Sequence, residues 1–198
     1  MKKVISFLIL LFAGTANAGL IIGATDIPSN TMGTAAGSTD NIINQSGLSV
    51  GYTSGVTDFD SYLATHPVNV SVNAWAGVRG VLGEIVFDLG GIYTIDSFVL
   101  WTQSNSNAVN AFSILVDGNL AGSFNALVGS APSITAQAFD LKDLTGQFIT
   151  LQVSSNHGGL NVNIGEVAFE TTSVPEPAIL ALLGLGLAGI GFSRKKTA

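Results

Sequence analysis

Between residues 20 and 169 the apolar positions follow strand periods and never helical ones. Val68, Val70, Val72 and Ala74 alternate with Asn69, Ser71 and Asn73, the period of two expected of a half-buried strand. Ile85, Phe87 and Leu89 alternate with Glu84, Val86 and Asp88, and after Gly90-Gly91 the stretch 95–101 is β-branched and aromatic. Phe112, Ile114 and Val116 share one face, and Asp117-Gly118 behind them is a strong hairpin signal. Shorter strands are predicted at 20–22, 48–50, 123–127, 134–139 and 148–153. In 161–169 the phase changes: Val162 and Ile164 share one face, Val167 and Phe169 are offset from it, and Gly165 between them predicts a β-bulge. Segments 28–37 and 51–67 are polar and turn-like, and no window keeps i, i+3, i+4, i+7 spacing over three turns. About eight short strands with Gly-rich connections predict an all-β fold, an antiparallel jelly-roll β-sandwich.

Both ends of the chain are patterned differently. Residues 1–18 have the three parts of a signal peptide: Lys2-Lys3, an apolar run 4–13, and Ala16-Asn17-Ala18, which predicts cleavage between Ala18 and Gly19. Residues 174–198 begin with Val174 and Pro175-Glu176-Pro177, which interrupts any strand or helix. An uncharged apolar run 178–192 follows, then Arg194, Lys195 and Lys196. A basic cluster behind an apolar helix stays on the cytoplasmic side, which places everything before Pro175 outside it. The run of 15 residues rises only about 22 Å as a helix, short of the roughly 30 Å of bilayer hydrocarbon. It predicts a short transmembrane helix suited to brief retention.

This tail resembles the PEP-CTERM sorting signal of Gram-negative bacteria, in motif, helix length, basic end and position. The resemblance implies export, transient anchoring in the inner membrane with the domain in the periplasm, and cleavage near Pro175-Glu176-Pro177 by an exosortase. Release to the cell surface or an extracellular exopolysaccharide matrix would follow. Gly184, Gly186 and Gly189 in the same run spell GxGxxG, but no βαβ unit surrounds them, and close packing of a membrane helix explains them better.

Removing both signals leaves 19–173 as one domain of 155 residues, long enough to bury a core without staples. Arg79 and Lys142 are its only bases against twelve acids, a net charge of −10. That excludes nucleic acid as a partner, since binding it requires Lys and Arg to neutralise phosphates. The chain has no cysteine, so thiol catalysis and Cys-based metal sites are excluded. An acidic surface rich in Asn, Ser, Thr and Gly suits neutral sugars or a divalent cation.

Three stretches carry a second resemblance: 83–101 (GEIVFDLGGIYTIDSFVLW), 110–118 (NAFSILVDG) and 146–169 (GQFITLQVSSNHGGLNVNIGEVAF). Their order is similar to that of a discoidin-type domain, the coagulation factor type C, galactose-binding-like jelly roll. NIINQSGL at 41–48 stands where an earlier segment precedes that family's ligand loops. The matching positions belong to the core, so the resemblance speaks for fold more than for ligand.

Candidate chemistry is sparse. Trp75 and Arg79 in the loop AWAGVRG are candidates for sugar contact: a ring face stacks on C–H groups, and a guanidinium donates to paired hydroxyls. The competing reading has Trp75 in the core and Arg79 paired with a nearby acid. Trp101 and the loop behind it form a second rim, with Trp101 itself read as core, while Asn156, His157 and Asn161 lie in a third loop. Asp40, Asn41, Asp58 and Asp60 can supply oxygens to a structural calcium ion, which related jelly rolls often hold in an early loop; two acids in a polar loop are also commonly just solvated. Gly47, Ser49 and Gly51 match GxSxG, with Asp140 or Asp143 and then His157 following in hydrolase order. That motif needs a strand before Ser49 and a helix after it, and no helix is predicted. His66 and His157 are far apart and read as loop residues. The sequence thus predicts a non-catalytic, exported protein that binds exopolysaccharide or another glycan. A structural matrix protein without a defined ligand is the first alternative, and a serine hydrolase using Ser49 the second.

Overall fold

The computed structural model describes residues 19–70, 74–130 and 134–172. The signal peptide with Ala16 and Ala18, the tail with Pro175, Glu176, Pro177 and the helix 178–192, and the alternation over 71–73 lie outside the described residues. Among the described residues no helix is long and apolar enough to cross a membrane.

Two long strands make the architecture. β5 (Gly83–Trp101) and β9 (Gln137–Val153) run antiparallel in two blocks: Gly83 to Asp88 pair with Val153 to Phe148, and Tyr93 to Leu100 with Gly146 to Gln137. The register shifts between Asp88 and Tyr93, where Gly90 has φ +72°. Phe87 and Phe98 lie on opposite sides of this break. A straight strand would hold them about 36 Å apart, yet both rings pack on Phe169, with centroids 5.9 and 5.8 Å from it. The pair of strands is therefore folded back on itself. Asp88 pins the bend: its Oδ1 accepts the Gly90 N–H and the Gln147 side-chain N–H, both at 2.8 Å. These two donors, Gln147 the stronger, hold its carboxyl below the usual range.

The fold-back turns one sheet into two layers. β2 (Asp26–Asn30), the first block, β6 (Ala111–Val116) and β7 (Asn119–Asn125) form one layer. β1 (Leu20–Ile22), β11 (Glu166–Thr171) and the second block form the other. Ile85, Phe87, Phe112 and Ile114 of the first layer face Ile95, Phe98, Val167 and Phe169 of the second in the main core. Pro28 in β2 is admissible because β2 is an edge strand. The predicted hairpin at Asp117-Gly118 is present: both residues have positive φ, 45° and 80°, and Val116 pairs with Asn119.

The second layer is covered on its outer face as well. Residues 48–66 cross it and contribute Tyr52, with Phe59 and Tyr62 from α1 (Phe59–Leu63), against Ile21, Val99, Trp101 and Ala168. β11 is consequently buried at all six positions. The short helix and the 3-10 turn at Thr39–Ile42 correct the expectation of an entirely helix-free domain. At one or two turns, neither could show a helical period.

Two small ladders complete the fold. β3 (Val68–Asn69) pairs with β8 (Ile134–Thr135), and β4 (Trp75–Ala76) pairs with β10 (Asn163–Ile164). They correct three expectations. The predicted phase at 68–70 is reversed: Asn69 is buried, whereas Val70 is 46 % exposed. Residues 48–50 form no strand; Leu48 makes only an isolated bridge to Asn69. Gly165 is a break between β10 and β11 rather than a bulge, and its N–H bonds Trp101 O at 2.8 Å.

Gly90→Ala tests the bend. An L-residue at that φ costs roughly 1–2 kcal/mol, and the added Cβ would press on Thr25 at 3.0 Å. A urea melt should show a loss greater than that, whereas Gly80→Ala, at a similar φ of +73° with open space around it, should lose only the backbone cost.

Candidate functional site

The two loops that carry the sugar-contact candidates meet at one pole of the sandwich. Pairing of β4 with β10 sets residues 77–82 beside residues 154–162. The Gly77 N–H donates to Val162 O and the Gly80 N–H to Leu160 O, both at 2.8 Å. Asn161 Nδ2 donates to Gly77 O at 2.6 Å, a side-chain bond in the same seam. Asn156 folds its own loop: Nδ2 donates to Gly159 O and Asn161 O at 3.0 and 2.6 Å, and Oδ1 accepts the Gly158 N–H. Gly158 has φ +88°, the left-handed conformation this tight loop requires.

A surface pocket of about 170 Å³ opens between the loops, lined by Val81, Leu82, Leu160, Asn156, Asn161 and the Gly80 backbone. Leu82 and Leu160 are 47 % and 57 % exposed. Arg79 stands next to Gly80, exposed, and makes no ion pair or hydrogen bond among the described residues. The pocket thus offers aliphatic surface, and Arg79 stands one residue before its lining. Its two asparagines are largely spent on holding the loops.

Trp75 does not belong to that surface. It is fully buried in the main core, and its Nε1 donates to Thr34 Oγ1 at 2.9 Å. β4 turns the indole inward, and Gly77 makes room, since a Cβ there would meet the ring at 3.1 Å. The stacking role is therefore corrected: the ring has no face open to a sugar. Trp101 is also buried, as expected, and its Nε1 donates to Pro67 O at 3.0 Å. His157 is half-buried, with Nε2 2.9 Å from Ala126 O. A carbonyl only accepts, so Nε2 carries the proton and ties a third loop to this pole. His66 follows α1 with φ +50°, a helix-terminating residue.

The acids proposed for calcium serve local structure. Asp58 is the N-cap of α1, its Oδ1 accepting the Ser61 N–H at 2.8 Å, and Ser61's hydroxyl and N–H hold the carboxyl below its ordinary range. Asp60 lies in the first turn of the same helix, where negative charge is favoured. Asp40 and Asn41 lie in the 3-10 turn. Among the described residues no three His, Asp or Glu side chains gather in one place. Ser49 sits in a loop, where its Oγ accepts the Val68 N–H at 3.1 Å. Neither the strand before it nor the helix directly after it that a nucleophile elbow requires is present.

A buried polar cluster escaped sequence reasoning. Glu166 is fully buried; its Oε2 accepts the Gln45 N–H at 2.8 Å, and its Oε1 has no partner. The Tyr52 hydroxyl and Asn69 Oδ1 are buried without partners too. Burial pushes the Glu166 carboxyl up to about 9, and the hydroxyls of Tyr52 and Tyr62 rise through burial first and the charge of Glu166 second. The Gly-Glu-Val run at 165–167 was its sequence signal, legible only as part of a core pattern.

Glu166 sets a pH dependence. The unfolded chain releases its proton near 4.5 and the folded chain near 9, so the unfolded state binds fewer protons between these values. Stability should therefore fall as pH rises from about 5 to 9. Denaturant melts in chelator at pH 5, 7 and 9 should show that slope, and Glu166→Gln should flatten it.

The known proteins add two findings. Residues 173–195 match the PEP-CTERM protein-sorting motif, a mark of export with a membrane-anchored C-terminal sorting signal. Among curated proteins no relative of the chain is found. Among solved structures, the domain is similar to CBM32-1 from a family 31 glycoside hydrolase of Clostridium perfringens, with 11 % identity, a TM-score of 0.50, and coverage of 74 % of this chain and 95 % of that one. It is also similar to truncated AlyQ with CBM32 and alginate lyase domains, with 18 % identity and a TM-score of 0.50; that match covers 80 % of this chain but 35 % of the other. At these identities the likeness is one of fold. The chain therefore ends in a PEP-CTERM sorting motif, and the domain before it has the discoidin-like, galactose-binding-like sandwich fold of the family 32 carbohydrate-binding modules.

Proposed function

We propose that the protein is an exported, non-catalytic surface protein that binds exopolysaccharide through the pole built from residues 77–82 and 154–162. The observation that carries this reading is the pocket of about 170 Å³ there, with aliphatic walls and, one residue before its lining, an exposed Arg79 that is unpaired among the described residues. Aliphatic side chains pack against the C–H face of a sugar ring, and the guanidinium fork grips paired hydroxyls or a carboxylate. The fold supports the reading, because its known relatives include carbohydrate-binding modules. An exosortase would cut the tail near Pro175-Glu176-Pro177 and pass the domain from the inner membrane to the surface or matrix.

A second reading is favoured by one observation: among the described residues no aromatic ring lines the pocket, and Trp75 is buried. On that reading the protein is a structural matrix component without a defined ligand. Calorimetric titration of the exported chain with the producer's exopolysaccharide separates the two. Saturable heat, weakened tenfold or more in Arg79→Ala and in Leu160→Asp, supports the binding site. Absence of heat leaves the structural reading.

Calcium enters on the same footing. Asp58 is spent on its helix cap, whereas Glu166 has a buried oxygen without a partner and lies beside the early loop at Gln45. We propose that a calcium ion taken up by the domain displaces the proton on Glu166. Calcium should then raise the melting temperature at pH 8, an increase lost in Glu166→Gln and retained in Asp58→Asn. An equal melting temperature in calcium and in chelator would sink this proposal.

A further inference from the structure

Gly19, the residue behind the signal-peptide cleavage site read from the sequence, is already part of the fold. Its carbonyl accepts the Phe59 N–H at 2.8 Å, and the next residue, Leu20, pairs with Thr171. Gly19 packs directly on the carboxyl of Glu170; a Cβ added to it would overlap that group. Glu170 is only 9 % exposed, and its Oε2 accepts the Ser97 hydroxyl at 2.7 Å.

The surroundings of this carboxyl hold acids from every side. Asp96 of β5 and Asp60 of α1 face Glu170, while Asp143 and Asp140 of β9 face Asp96. Burial is the first cause that raises both Glu170 and Asp96. The Ser97 hydroxyl pulls Glu170 the other way, the charges of Asp96 and Asp60 raise it, and Asp143 raises Asp96. A hydrogen bond between Asp96 and Glu170 raises Glu170 and lowers Asp96. No base answers them among the described residues. Arg79 lies at the opposite pole, and Lys142 on β9 is exposed and makes no ion pair. A buried carboxyl facing like charges either keeps its proton or needs a partner of opposite sign to ionise.

Processing creates that partner. In the precursor the Gly19 nitrogen is a neutral amide. Hydrolysis by a signal peptidase breaks the Ala18–Gly19 C–N bond: the oxygen of water goes to Ala18, which leaves as a carboxylate, and the freed Gly19 nitrogen takes up a proton and becomes an ammonium. We propose that signal-peptide removal installs an ion pair between the new α-ammonium of Gly19 and the Glu170 carboxylate, fastening β1 to β11. The export step would thus complete the fold electrostatically, supplying a cation that no side chain of the domain supplies at that place. This proposal is independent of glycan binding.

The test uses the full chain processed in the periplasm and purified in detergent, its N-terminus first identified by mass spectrometry. Acetylation of the α-amine is followed against pH by peptide mapping. An ion-paired ammonium should titrate at least one unit above the ordinary 7.7–8.0, so that acetylation at pH 8 is several-fold slower than for a free peptide. Glu170→Gln should restore the ordinary rate. A chain that keeps Ala18 before Gly19 moves the charge outward and should melt lower than the processed chain, a readout that does not need the Glu170 variant to fold. A mature N-terminus other than Gly19, an ordinary amine titration, or equal melting of the two N-termini would each overturn the proposal.

Discussion

Everything in this domain depends on folding β5 and β9 back on themselves at Gly90. Hydrogen bonding across the two strands continues on both sides of the bend, so one sheet supplies both layers of the sandwich. The fold-back brings Phe87 and Phe98 onto Phe169, and Phe98 onto Phe112 at 5.7 Å. Edge-to-face and tilted pairs of this kind add about 0.5–1.5 kcal/mol each beyond the area they bury. With no cysteine to staple the layers, such packing is what holds them together. A change that straightened the bend would remove the whole core, whereas a change at one ring would remove one contact.

Closing the sandwich has a consequence on the outer face of the second layer. Residues 48–66 cover it, so β11 has water on neither side. A strand that alternates apolar and polar residues would then bury its polar half. β11 begins with Glu166 and includes Glu170, so two carboxyls lie where the pleat leaves no exit to solvent. Each is handled differently. Glu166 keeps a proton and takes one backbone N–H, while Glu170 takes the Ser97 hydroxyl and lies against the first residue of the domain. Asn69 belongs to the same economy of space: its amide fits against two positions without a side chain, Gly47 and Gly165.

How much of this the sequence disclosed follows from range. The hairpin at Asp117-Gly118 and the strands around Phe87 and Phe112 are local, and local pattern found them; at Gly165 it found the change of phase but read a bulge where the strand breaks. The inversion at Asn69 was hidden because the valines around it have the stronger strand signal, while the buried position is decided by glycines 22 and 96 residues away. Trp75 and Arg79 share one short loop, and only the β4–β10 pairing decides that the first turns inward and the second outward. Glu166 was visible as a motif residue, but its burial depends on a covering segment more than a hundred residues earlier. The two loops of the candidate pole were identified separately, and what joins them is a set of backbone hydrogen bonds that no residue type announces.

The topology separates the two ends of the domain from the candidate pocket. β1 and β11 are neighbours, so Gly19 and Thr172 leave the sheet side by side, with Leu20 opposite Thr171 and the Thr172 N–H on Thr94 O. The candidate pocket lies next to Gly83 and Val153, at the far ends of the strand blocks. Between Thr94 and Trp101 the second block of β5 advances about 3.3 Å per residue, which puts roughly 20 Å of sandwich between the ends of the domain and the candidate pocket. The signal-peptide junction read from the sequence, at Gly19, thus lies on the twice-covered layer, at the end of the sandwich away from the candidate pocket.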